Sequence, residues 1–329
     1  MTNGHTFFGS VLLAQLAENV GLHLCDIGSR GGALEDFIPA AAFTRVTGFE
    51  PDQEECERLN KAAKNSYNNW KFEEHFQIAL GEKNERIDLV VCKDPFYSST
   101  LEPVKQLPLE FSRNDEFQVV KRLHMDVESL DSFCASQSIQ DMDFMKVDVQ
   151  GGELAILKGA QEVVSRHLLG VRCEVEFAHL YVGQPLFSEM EMHMRELGFY
   201  PADWLYERHW RNDPRYEHAQ YCKSAEIPYS RGRLIHSDVL FLRDHHWIIA
   251  NMDDADTKLC RLLLIALLYH HVDLALTILP LIKANKIIKG ASREQWVREF
   301  AGVSRLLGKQ AFRQAAQDWF IKLRRFLRR

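Results

Sequence analysis

Three short segments carry residue types that could do chemistry, and each stands where an apolar run breaks. The first is Asp26-Ile27-Gly28-Ser29-Arg30-Gly31-Gly32. Its glycines let a ligand approach the backbone more closely than side chains would allow, and an acid ends the apolar run before them. A dinucleotide fingerprint would need G-x-G-x-x-G. Here the glycines read G-x-x-G-G, and an acid beside the turn suits a cationic amine better than a pyrophosphate. The second is Glu50, 24 residues after Asp26 and followed by Pro51. An acid in that place accepts hydrogen bonds from both hydroxyls of a ribose. The third is Lys146-Val147-Asp148-Val149-Gln150-Gly151-Gly152-Glu153, a buried run that ends in an acid and a glycine pair. Each also has a plainer role open to it: a tight connection, a solvated strand-end glutamate, and for Glu153 a charge favouring a helix N-terminus.

The elements that must position these segments alternate in type. Residues 22–27, 45–50, 72–80, 87–92, 117–124, 143–149, 171–177, 199–205 and 237–242 read as strands. Residues 33–43, 52–64, 127–135, 153–164 and 189–197 carry helical spacing. Asp52 can cap its helix, and Glu54 and Glu55 favour the first turn. Residues 93–114 look irregular. This alternation predicts an α/β fold with a Rossmann-like, doubly wound, mostly parallel sheet. All three segments then fall at the carboxyl ends of strands, where open sheets of this kind bind ligands. Beyond residue 248 only helical spacing remains, over 258–269, 272–284, 292–306 and 309–327. The expected division is therefore a cofactor-binding domain over 1–248 and an all-helical C-terminal region over 249–329.

The acid at 26 and the acid at 50 together suggest a nucleoside that carries an amino acid, which is S-adenosylmethionine. Residues 145–160, Met-Lys-Val-Asp-Val-Gln-Gly-Gly-Glu-Leu-Ala-Ile-Leu-Lys-Gly-Ala, are similar to the hallmark K-[IV]-D-[VI]-E-G-x-E-x-x-[VL]-L-x-G-[AS] of the FkbM family of S-adenosylmethionine-dependent methyltransferases. Residues 26–32 resemble that family's D-x-G-x-x-x-G, and Gly48-Phe49-Glu50-Pro51 its [AG]-[FY]-E-P. Ser98-Ser99-Thr100-Leu101 resembles its serine-rich loop, and Ser129-Leu130-Asp131-Ser132-Phe133 its [TS]-L-D-x-[FL]. The resemblance covers roughly residues 20–243.

It implies a fold of the class I methyltransferase type, S-adenosylmethionine as cofactor and S-adenosylhomocysteine as product. The implied reaction is O-methylation of a hydroxyl of a saccharide, glycolipid or secondary metabolite. The implied cofactor contacts are Asp26, Gly28, Ser29, Arg30, Gly31, Gly32, Glu50, Pro51 and Asp148, with a backbone amide of Ala79 or Leu80 at the adenine. Methyl transfer is an in-line displacement that needs alignment and removal of the acceptor's proton. The candidate catalytic residues are Asp148 at the strand end, Glu153 five residues on, and Glu176, which shares a strand face with Glu174, with His179 just beyond. The family usually has Glu where this chain has Gln150, so weight shifts from position 150 to Asp148 and Glu153. Lys146 shares the face of Asp148 and is either a structural ion pair or a catalytic group. Tyr67 and Trp70 either border a base or form a packed helix-end cluster. Two other classes stay open: a nicotinamide-dependent oxidoreductase, and a catalytically degenerate partner protein that binds cofactor or membrane.

Composition narrows the rest. The chain has 329 residues, 46% apolar and 26% charged, with a formal net charge of −6, which excludes disorder and collagen-like structure. The charge gives no basic footprint over the whole chain, so no nucleic-acid partner is expected. Residues 1–16 show no secretory pattern. The longest apolar run, 262–269, falls short of the ~20 residues that span a bilayer, and a cytoplasmic location is expected. Seven cysteines lie at positions 25, 56, 92, 134, 173, 222 and 260 without zinc-type spacing, as buried reduced thiols would. The pairs His245-His246 and His270-His271 lack carboxylate partners at a ligand spacing, and the sequence leaves metal dependence unset. Phe312, Ala316, Trp319, Phe320, Leu323 and Leu327 repeat at helical spacing, and from Lys309 on seven basic residues face a single acid. Such a helix either lies peripherally on an anionic membrane surface or packs on the preceding helices with a solvated basic tail.

Overall fold

The computed structural model describes residues 7–65, 69–139, 141–213, 221–223, 226–283 and 291–327, without side chains at 314 and 318–327. These residues form two compact units. One comprises Met1–Leu22, Glu35–Thr44 and Asp254–Arg329, the other His23–Leu34 and Arg45–Asp253. The linear division at 248/249 therefore needs correcting. The later helices form one unit with the segments before the first strand and between the first two strands, and the boundary falls at 253/254.

Among the described residues ten strands occur: β1 (Leu22–Ile27), β2 (Thr44–Phe49), β3 (Phe72–Phe76), β4 (Ala79–Gly81), β5 (Glu85–Cys92), β6 (Val119–Ser129), β7 (Phe144–Val147), β8 (Gly170–Glu176), β9 (Phe199–Trp210) and β10 (Arg233–Arg243). Seven make one sheet in the order β3-β2-β1-β7-β8-β10-β9. Pairings β2–β3, β1–β7 and β7–β8 are parallel, while β10 runs antiparallel to both β8 and β9. The fold is thus α/β with a largely parallel sheet. Residues 72–80, expected as one strand, divide at 77–78. The first part joins this sheet, and the second pairs with β6 in a separate sheet of order β4-β6-β5.

Continuous apolar runs build the sheet centre. β1 is buried at every position, as strands covered on both faces are. Behind the functional loops, Phe133 packs edge to face on both Phe49 and Phe76 at 4.9 Å, and those two rings stack at 6.1 Å. The Ser129-Leu130-Asp131 motif is structural. Ser129 caps the helix Leu130–Gln137 by accepting from the Ser132 amide. Asp131 accepts from the amides of Glu162 and Val163 at 2.9 and 3.0 Å and so caps the next helix but one.

In the helical unit, Ala255–Leu268 is buried over Leu262–Leu268, which accounts for the long apolar run as a helix covered on all sides. The expected helix 33–43 is instead a 3₁₀ helix, Glu35–Phe43, with Pro39 inside it; proline lacks the amide and obstructs the carbonyl that an α-helix needs. Residues 292–306 and 309–327, expected as two helices, form one, Arg293–Leu327. Phe312 is exposed on it. The apolar and basic side chains expected from Trp319 onward lie outside the described side chains, and Arg328 and Arg329 outside the described residues. All seven cysteines are free and buried. No helix among the described residues is long and apolar enough to cross a membrane.

Candidate active site

The carboxyl ends of β1, β2, β7 and β8 open into a cleft of about 710 Å³ within the sheet unit. The glycine turn forms its floor. Gly28 sits at φ 72°, and a side chain there would drive a Cβ to 2.2 Å from the Asp148 carbonyl oxygen. The amides of Gly28 and Ser29 both donate to the Phe49 carbonyl at 3.1 Å, so the turns after β1 and β2 are locked together. Lys146 donates to the Gly28 carbonyl at 2.7 Å and lies 3.6 Å from Asp26 Oδ1 and 3.7 Å from Asp148 Oδ2. It is a structural tie that also reaches the cleft.

Of the expected cofactor contacts, Gly28, Arg30, Glu50, Pro51, Ala79, Leu80 and Asp148 line this one cleft. The others do not. Asp26 is buried beneath the turn, where its Oδ2 accepts from the Leu34 amide at 2.9 Å. Burial raises its carboxyl above the ordinary range, opposed by Lys146 and His75. Ser29 turns away and its hydroxyl meets His75 Nδ1 at 2.9 Å. The Gly31 amide is taken by Glu55 at 2.9 Å, and the Gly32 amide donates to the Ser29 carbonyl. Asp26, Ser29, Gly31 and Gly32 therefore shape the turn rather than face the cleft. Glu50, almost fully buried, accepts from the Asp52 amide at 3.0 Å, with Arg30 3.5 Å away; burial raises its carboxyl as well.

The candidate catalytic residues need a second correction. Asp148 lines the cleft with its side chain about half exposed. Glu153 does not reach it. Its carboxylate accepts from the Val149 amide at 2.9 Å and the Gly151 amide at 2.8 Å, folding back on its own loop. Burial, then the neighbouring Glu174 charge, pushes Glu153 up to about 8. Glu176 is likewise buried away from the cleft and raised by burial. The strand acid that does line the cleft is Glu174. It stands 2.8 Å from His236 Nδ1 on β10, and burial raises its carboxyl while His236 pulls it back.

Gln150, passed over in the sequence, proves central. Its side-chain amide donates to Glu174 Oε2 at 2.7 Å and to Asp148 Oδ1 at 3.2 Å, bridging the two acids. It takes a left-handed φ of 61°, and its carbonyl accepts from the Ser99 hydroxyl at 2.6 Å. The serine-rich loop thereby holds the bridge, with Ser98, Thr100 and Leu101 lining the cleft. His236, Tyr206 and Arg208 complete the far wall. No motif marks them, because only the β8–β10–β9 pairing brings them beside Glu174. His179 donates from Nδ1 to its own loop at the Gln184 carbonyl, 3.1 Å away. Trp70 does not line the cleft, and Tyr67 lies outside the described residues. Among the described residues, no group of three or more His, Cys, Asp or Glu could hold a metal ion.

Fold and cleft define a Rossmann-like α/β protein that gathers a glycine turn and acidic side chains at its strand ends. A model of the FkbM methyltransferase domain matches residues 26–201, more than half of the chain, and the chain belongs to that family. Similar solved structures include the FkbM methyltransferase of Methylobacillus flagellatus KT, with 16% identity over 68% of this chain and 44% of that one and a TM-score of 0.36. Another is the magnesium protoporphyrin IX methyltransferase of Synechocystis PCC 6803 with bound S-adenosylmethionine, at 14% identity, 72% and 78% coverage and a TM-score of 0.35. A third is the S-adenosylmethionine-dependent methyltransferase of Agrobacterium tumefaciens, at 12% identity, 70% and 60% coverage and a TM-score of 0.33. This chain spans less than half the length of the first of these. No curated protein matches it. Membership in a methyltransferase family sets the nicotinamide alternative aside.

Proposed function

We propose that this protein is an S-adenosylmethionine-dependent O-methyltransferase whose acceptor is a hydroxyl of a saccharide, glycolipid or secondary metabolite. The observation that carries it is the single cleft shared by Gly28, Glu50, Ala79-Leu80 and the Asp148–Gln150–Glu174 bridge. The residues fit the cofactor. A turn that excludes any Cβ at Gly28 leaves room for close approach, Glu50 offers a carboxylate to ribose hydroxyls, and the backbone of Ala79 and Leu80 borders a base. S-adenosylmethionine, when bound, supplies an electrophilic methyl group on a sulfonium.

The protein's own work is alignment, water exclusion and proton removal. Asp148 faces the cleft and accepts the acceptor's hydroxyl proton. Gln150 and Lys146 hold its carboxylate in place. Glu174 and His236 stand behind the bridge as a carboxylate–imidazole pair that holds Gln150 in place, and the proton leaves Asp148, whose side chain is about half exposed, to solvent.

Calorimetric titration of the folded protein with S-adenosylhomocysteine tests the cofactor. Micromolar binding is expected for the wild type and loss of binding for Gly28→Ala; no binding by folded wild type sinks the proposal. Asp148→Asn should lower turnover on cell-extract acceptors by about 10²–10⁴-fold, the worth of a general base. Cofactor binding with no methylated product from any extract would point instead to a non-catalytic binding protein.

A further inference from the structure

The cleft contains three long cations, and two of them are neutralised. Lys146 sits between Asp26 and Asp148, and Arg30 between Glu50 and Asp52. The third, Arg208, has no carboxylate partner and no hydrogen bond among the described residues, although it lines the cleft and is partly buried. The titratable groups beside it are Tyr97, His236 and the like-charged Arg211. The one acid at this end, Glu174, is already engaged by His236 and Gln150. A guanidinium held in a cleft without an anion is poised for one from outside, because its planar fork matches carboxylate, sulfate and phosphate.

Its position separates it from the cofactor. Arg208 stands on β9 directly opposite His236 on β10, and β10 in turn pairs with β8, which carries Glu174. Opposed residues share a sheet face. His236 is opposite Glu176, with Glu174 two residues along on the same face of β8 and reaching the His236 ring diagonally, so Glu174, His236 and Arg208 share one face of three strands. Two strand spacings and a two-residue offset place Arg208 about 12 Å from Glu174 between backbones. The turn after β1 is four strands away in the sheet order, roughly 19 Å, which keeps Arg208 clear of the cofactor loop. Tyr206, two residues earlier on the same strand, is half exposed and lines the same wall, as does the exposed Phe96.

We propose that Arg208 binds an anionic group carried by the methyl acceptor, three strands across the sheet from Asp148, about 14 Å between backbones. The acceptor is accordingly an acidic molecule, such as a sugar bearing a carboxylate, sulfate or phosphate. Arg208 is a specificity residue and not a catalytic one. This inference rests on the methyltransferase proposal, since it assigns the acceptor half of that site.

The test uses the full-length protein saturated with S-adenosylhomocysteine and titrated with glucose, glucuronate, glucose 6-sulfate and glucose 6-phosphate. At least one charged sugar should bind about tenfold or more tightly than glucose, the worth of one charge-assisted contact. The three charged probes distinguish carboxylate, sulfate and phosphate. Arg208→Gln should erase the difference, and Arg208→Lys should keep part of it, with S-adenosylhomocysteine affinity unchanged in both. Equal or absent binding of charged and neutral probes, or a preference that survives in Arg208→Gln, overturns the inference. Failure of wild-type protein to bind S-adenosylhomocysteine in the first titration would instead overturn the methyltransferase proposal itself.

Discussion

At Glu153, burial and hydrogen bonding pull in opposite directions. Two backbone amides favour its carboxylate, yet burial and the Glu174 charge win, raising it to about 8 from an ordinary 4.5. Between those values the folded chain holds a proton that the unfolded chain has released. Stability from this group is therefore full below about 4.5 and is lost as pH rises toward 8. Asp26, Glu50, Glu174 and Glu176 are shifted in the same direction and add to the slope. Melting temperature should fall between pH 5 and pH 8, and Glu153→Gln should make that fall shallower; an unchanged slope would show that another acid sets it. Glu153→Ala leaves the amides of Val149 and Gly151 without their acceptor and should cost about 1–3 kcal/mol in urea unfolding. At Gln150 the chemistry is the reverse. Replacing its amide by a carboxylate in Gln150→Glu would set three acids together, so turnover should fall and its acidic limb should move to higher pH, read from a pH–rate profile.

Between elements, the tightest joints are made by residues too small or too buried to attract notice. Gly159 ends the helix Glu153–Gly159, and a Cβ there would stand 2.1 Å from the Gly81 carbonyl oxygen. The helix after β7 thus lies directly against β4, whose Ala79 and Leu80 line the cleft. Gly159→Ala should destabilise by about 2–4 kcal/mol and weaken S-adenosylhomocysteine binding together, as chemical denaturation and calorimetry would show. Arg243 is a second joint. Fully buried, it lies between the rings of Phe199 and Trp247 at 3.9 and 4.2 Å and donates to the carbonyls of Val164, Leu168 and Leu197. Burial without a carboxylate lowers its guanidinium to about 9. It closes carbonyls that two helix ends leave open, each met by a different nitrogen of the guanidinium, where lysine has only one nitrogen to place. Arg243→Lys should cost about 2–4 kcal/mol.

Across the whole molecule, the chain passes between its two units more often than a linear division suggests. Phe37 is fully buried and packs edge-on to Tyr269 at 6.5 Å, and the Arg261 guanidinium donates to the Val20 carbonyl at 2.8 Å. Removing residues 254–329 strips these partners from a segment that remains attached to the strands. A chain ending at 253 should therefore aggregate or melt more than 10 °C lower, on the order of 2 kcal/mol or more for a domain of this size, by calorimetry and light scattering. A monomer of unchanged melting temperature would mean that the early segments need no helical partners.

Neighbouring residues alone encode the local facts: most of the strand runs, though not the break at 77–78, where glycines permit a turn, and which acids stand at the ends of β1, β2 and β7. These are legible because apolar periodicity and backbone freedom are properties of neighbours in the chain. Glu50, Gly28 and Asp148 were found that way. The tertiary structure decided which of those acids face the cleft and which turn into the protein, because a side chain's direction at a strand end depends on what packs over it. It put Asp26 and Glu153 inward, onto amides of their own loops. It also chose Glu174 over Glu176 and brought His236 and Arg208 to its side. No spacing encodes that grouping, since its members stand on three strands whose pairing joins residues some 30 to 60 positions apart.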